Sequence, residues 1–122
     1  MEPAHEHALR CLALHDEEFV ASVLRIDDRN VEASGLDPKV HALVRLAAML
    51  SLGAPPVCYQ ADVESARAAG ASEDEIVGVL IAVAPSIGLP RVVSAAPRIA
   101  LALGYDVDAA LERIDVGARP AG

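Results

Sequence analysis

Apolar residues in this chain recur at intervals of three and four, and no stretch alternates apolar and polar residues as a half-buried strand requires. The chain therefore reads as all-α. Residues that start and stop helices interrupt the pattern at intervals, so the expected fold is six to seven short helices around one core.

A first helix is expected over about Ala4 to His15. Asp16-Glu17-Glu18 opens a second, with Phe19, Val20, Val23, Leu24 and Ile26 as its apolar stripe and acids where the helix dipole favours them. The polar run from Asp27-Asp28-Arg29-Asn30 to Ser34-Gly35 breaks the pattern and reads as a joint. Asp37-Pro38 supplies an N-cap and a first helical position, and Gly53 is the matching stop. Past Pro55-Pro56, a helix runs to about Ala69 and ends at Gly70. Ser72 and Glu75 have capping-box spacing and open the next helix, which Pro85 is expected to stop. Another spans about Pro90 to Leu103, kinked at Pro97 and capped by Gly104, and a last short one runs from Asp106 to Ile114. The organisation expected is a helical pair and joint over 1–35, a core over 36–115 and a tail over 116–122. At 122 residues these belong to one domain, the usual size being about 150.

After Glu75, the residues Ile76, Val77, Val79, Leu80, Ile81 and Val83 leave no polar face, and a helix apolar all round must be covered on every side. The helix from Pro90 is similar, with Arg91 and Arg98 as its charges. A closed homo-oligomer is the simplest cover; the alternative is a central helix surrounded by the others.

Eighteen acids against ten bases give a formal charge of -8, so a phosphate backbone would be repelled, and nucleic acid is excluded as a partner. Phe19, Tyr59 and Tyr105 are the aromatics, too few for a base-stacking platform. The charge-free run from Ile76 to Pro90 is shorter than the roughly 20 residues of a membrane span, so no membrane partner is expected. The acidic start, Met1 to His7, lacks the basic and apolar segments of a secretory signal, and a cytoplasmic location follows as the expectation. Cys11 and Cys58 then read as free thiols. His7, Cys11 and His15 fall at i, i+4 and i+8, but one helix face cannot close a tetrahedral site, so no metal is expected.

From Leu36 to about Leu111, a series of segments falls in a distinctive order. They are Leu36-Asp37-Pro38-Lys39, Leu43-Val44-Arg45-Leu46-Ala47-Ala48 to Leu52-Gly53, Ala66 to Ile76, and Gly88-Leu89-Pro90. In these the chain resembles the carboxymuconolactone decarboxylase and alkylhydroperoxidase D-like superfamily. The resemblance implies an all-helical fold, assembly as homotrimers or homohexamers, and one of two chemistries: decarboxylation of a small lactone acid, or thiol peroxidase activity.

The peroxidase branch carries Cys-x-x-Cys with a His four residues beyond the second Cys. Here Cys58 matches the second thiol, while Pro55 stands at the first and Asp62 at the His. Pro55 cannot act as a resolving thiol, and Asp62 one turn from Cys58 would disfavour the thiolate by like-charge repulsion. The His of the decarboxylase branch also aligns with Asp62. A carboxylate there would repel an anionic substrate unless Arg45 or His41 held the substrate's charge, or burial kept Asp62 protonated.

Among the residues themselves, His41 and Arg45 are four apart and share a helix face. They are candidates for an acid or base and a carboxylate clamp; the competing account is a solvated or interface stripe. Cys58 and Asp62 share the next stripe, Asp62 as a general base with a burial-raised pKa and Cys58 as a weak nucleophile or a packing residue; the competing account pairs Asp62 with Arg67 or leaves it in water. Tyr59 and Gln60 are candidate hydrogen-bonding partners for a substrate. With no Gly-rich phosphate loop, no cofactor is implied. The function expected is a cofactor-free acid-base enzyme, lyase or decarboxylase in type, acting on a small carboxylated or carbonyl compound. The alternatives are a non-catalytic oligomeric scaffold or ligand-binding protein, and a thiol peroxidase working through Cys58.

Overall fold

A computed structural model describes residues 2–25 and 28–105. These form seven helices and no strand: α1 (Ala4–Ala13), α2 (Glu17–Val23), α3 (Asp28–Ser34), α4 (Pro38–Leu52), α5 (Pro56–Ala68), α6 (Glu73–Ile87) and α7 (Leu89–Ala102). The expected all-α class is what the chain adopts. The helix expected from Asp106 to Ile114 and the tail at 116–122 lie outside the described residues, as does Ile26 of the second stripe.

The chain divides into two compact units, one up to His41 and one from Ala42 onward. The division between them falls within α4.

In the first unit, α1 packs on α2 and α2 on α3. α1 stops before His15: the His15 N–H donates to the Leu12 carbonyl (3.3 Å) and the Asp16 N–H to the Cys11 carbonyl (2.9 Å), with His15 at φ 56°. His15 has left the helix, so the expected stripe of His7, Cys11 and His15 does not form. Only His7 and Cys11 meet, with Nε2 3.6 Å from Sγ. Asp16 caps α2 as its sequence suggests, accepting from the Phe19 N–H at 3.0 Å.

The polar joint is also a correction, since Asp28–Ser34 is helical. The reason is tertiary. Asn30 donates its side-chain amide to the Val23 carbonyl, one of the orphan acceptors at the end of α2, and α3 presents Asn30 there.

In the second unit, α5 packs on α7 and α6, and α6 packs on α7. The core consists of Leu46 and Leu50 from α4, Tyr59, Val63 and Ala66 from α5, Ile76 and Leu80 from α6, and Ala95 and Ile99 from α7. Leu46, Leu50, Val63 and Ile76 are fully enclosed, each contributing about 1.5–3 kcal/mol of apolar burial. The Gly53 stop forms as expected, at φ 64°, where a side chain would be strained. Its N–H donates to the Leu50 carbonyl and that of Ala54 to the Met49 carbonyl, turning the chain directly into α5. The capping box of α6 is complete: Ser72 Oγ accepts from the Glu75 N–H (3.1 Å) and Glu75 Oε1 from the Ser72 N–H (3.0 Å).

Pro85 does not stop α6, which runs on to Ile87. Proline there removes one bond, to the Ile81 carbonyl, close to the end of the helix. Pro85 and Ile81 are both exposed, so water can serve the freed acceptor. Nor is α6 covered on every side within one chain. Ile76 and Leu80 are buried, whereas Val77 and Ile81 are exposed. α7 likewise leaves Leu89, Val93 and Leu101 in solvent. Among the described residues, no helix is long and apolar enough to cross a membrane.

Candidate functional site

Pro56 opens α5 at the position where a helix has no need of an N–H, and the Cys58 N–H closes onto the Pro55 carbonyl at 2.9 Å. Tyr59, Val63 and Ala66 then recur at helical spacing and are buried, which fixes the core face of α5. Cys58 and Asp62 sit one position round and are half-buried, while Gln60, Glu64 and Arg67 are exposed.

That placement sets the chemistry of Asp62. Burial disfavours its charged form and pushes the carboxyl above the ordinary aspartate value of 3.8, while the positive charge of Arg45 on α4 pulls the other way and loses. Arg67, a conceivable partner for Asp62, instead faces Glu73, with Nη2 3.9 Å from Oε1. Arg45 itself is half-buried beside the enclosed Leu46. Asp62 and Arg45 are thus two predicted site residues placed so that the charge of one acts on the other.

The other predicted residues go separate ways. Gln60 is exposed and donates to Glu64 Oε1 at 3.4 Å. Cys58 is a free thiol. His41, which belongs to the first unit, is buried, and its Nε2 lies 2.6 Å from Asn30 Oδ1. Because Asn30 gives its Nδ2 to Val23, its Oδ1 faces His41 as an acceptor, and His41 Nε2 carries the hydrogen.

Tyr59 reaches a cavity of about 290 Å³, lined also by Gly53, Ala54, Pro55, Arg91, Ser94 and Arg98. Arg45, Cys58 and Asp62 are not in that lining. Arg91 and Arg98 are not legible as a site from the residues alone. The signal in the sequence is the spacing of Arg91, Ser94 and Arg98 at i, i+3 and i+7. Among the described residues, no three His, Cys, Asp or Glu side chains cluster as metal ligands would.

A family model describing the carboxymuconolactone decarboxylase family matches residues 17–102, from the first residue of α2 to the last of α7. The chain belongs to this family. Carboxymuconolactone decarboxylase family proteins include decarboxylases and peroxidases. No curated protein and no solved structure gives a significant match to the chain. The family match extends N-terminal to the resemblance read from the sequence, taking in α2 and α3, and it includes every second-unit residue of the site.

Proposed function

We propose that this carboxymuconolactone decarboxylase family protein is a cofactor-free lyase acting on a small carboxylated substrate, with Asp62 as proton donor and Arg45 as carboxylate clamp. The observation that carries the proposal is the half-buried Asp62 carboxyl on α5, whose pKa burial raises from the ordinary value while Arg45 opposes the rise. When a carboxylate leaves as carbon dioxide, the electron pair of the broken bond stays on carbon and must be met by a proton. A carboxyl whose pKa is raised keeps its proton to higher pH than an ordinary aspartate, so it can supply one there and repels an anionic substrate less. Water then restores the proton. The guanidinium of Arg45 pairs with the carboxylate form of the substrate and orients it. Tyr59 faces a separate cavity, Gln60 faces Glu64, and His41 is committed to Asn30.

The same proposal includes a homotrimer or homohexamer. Val77 and Ile81 of α6 with Leu89, Val93 and Leu101 of α7 are the exposed aliphatic surface that a second copy would cover. A small-molecule-binding protein without catalysis is the second reading, favoured by Pro55 and Asp62 standing where the family's reactive residues are expected.

The test is carbon dioxide release by the full chain from carboxymuconolactone and simpler unsaturated lactone acids. Wild-type protein should release it, and Asp62→Asn should lose about a hundredfold or more in kcat. Equal release by both proteins, or release by neither, overturns the proposal.

A further inference from the structure

α7 carries Arg91, Ser94 and Arg98 at intervals of three and four residues, so one face of it presents two guanidiniums and a hydroxyl. All three line the cavity of about 290 Å³, together with Tyr59 and the turn Gly53, Ala54 and Pro55. No carboxylate is in that lining, although the chain has eighteen acids against ten bases. Acids are the common partners of arginine, and an excess of them makes two arginines without an acid partner in one concavity the less expected arrangement.

The two arginines are held differently. The Arg91 Nη1 donates to the Ser51 carbonyl in the last turn of α4, where a cation suits the negative end of the helix. A guanidinium has five N–H donors, so this bond fixes the group and leaves others for a ligand. Arg98 has no ion-pair or hydrogen-bond partner among the described residues. Pro55, the N-cap of α5, lines the same cavity and offers no side-chain acceptor, so the positive end of that helix dipole adjoins the cavity uncapped.

We propose that this cavity binds a small oxyanion, the carboxylate or phosphate group of a compact ligand. Arg98 and Arg91 supply charged donors, and Ser94 a neutral one. The volume is near the lower end of small-molecule sites, which run from about 300 Å³ upward, so it suits a small organic acid or phosphate. Asp62 does not line the cavity, and binding here does not depend on Asp62 being a proton donor.

Calorimetric titration of the full chain at low ionic strength, with sodium succinate and sodium phosphate as separate probes, tests this. At least one probe should bind saturably, and Arg98→Gln should weaken it about tenfold or more. Ser94→Ala should weaken it less, and Asp62→Asn should bind as wild type does, which separates this site from the proposed lyase. Preference for succinate assigns an organic acid, and preference for phosphate a phosphorylated ligand. Arg98 is exposed, so its variant should keep the wild-type melting temperature. The proposal is overturned if neither probe binds, or if Arg98→Gln and Ser94→Ala both bind as tightly as wild type.

Discussion

His41 Nε2 lies 2.6 Å from Asn30 Oδ1, and the same Asn30 amide donates to the Val23 carbonyl. One side chain thus connects the end of α2, the middle of α3 and the start of α4. Removing either partner leaves the other with an unmet polar group at a buried or part-buried position. Asn30→Ala and His41→Ala should each destabilise the protein by about 1–3 kcal/mol in urea unfolding. The double variant should lose less than the two losses added, because the shared bond is removed only once. Strict additivity would show that the contact contributes nothing.

Asp62 predicts a pH dependence of stability. Its folded pKa is raised from 3.8, chiefly by burial and against the pull of Arg45, so folding favours the protonated form. The favourable contribution is fully present below 3.8 and is lost as the pH rises through the folded value. Asp62→Asn has no such loss. Its stability relative to wild type should therefore grow from acid toward neutral pH, measured as the difference in melting temperature across that range. A difference that shrinks over the same interval would contradict the placement of this carboxyl.

A thiol peroxidase that resolves its sulfenic acid as an internal disulfide needs a second thiol near the first, and Pro55 stands where that thiol would be. Wild-type protein and Cys58→Ser should show the same background rate with an organic hydroperoxide and a reductant that acts only on disulfides. Turnover by wild type that Cys58→Ser abolishes would restore the peroxidase account.

The exposed aliphatic side chains of α6 and α7 give an assembly prediction. Wild-type protein should sediment as a trimer or hexamer, and Ile81→Glu, which alters a side chain 68% exposed in the single chain, should shift it to smaller species without unfolding it. A monomeric wild type would remove the assembly part of the proposal.

Helix starts and stops written in local chemistry are legible from the residues alone: Asp37-Pro38, Gly53, and the Ser72 and Glu75 pair all act where the sequence places them. What is not legible depends on distant partners. α3 reads as a polar joint until Asn30 finds the Val23 carbonyl, and Pro85 reads as a stop until exposure of the Ile81 end of its lost bond makes that loss tolerable. His15 reads as helical until the chain reverses at it. The site divides in the same way. Helical spacing puts Cys58 and Asp62 on one stripe, but it cannot tell that Gln60 turns to Glu64 or that His41 is already hydrogen-bonded. The basic cavity joins α7 to the turn between α4 and α5, a closeness that only folding creates.

The most direct test of the central claim is the pH profile of kcat/KM for decarboxylation by wild type and Asp62→Asn. If Asp62 donates the proton from a burial-raised pKa, wild-type kcat/KM should fall as the pH rises through a midpoint above 3.8, and Asp62→Asn should lose both the rate and that limb. A profile with no such limb, or one that persists unchanged in Asp62→Asn, would contradict it.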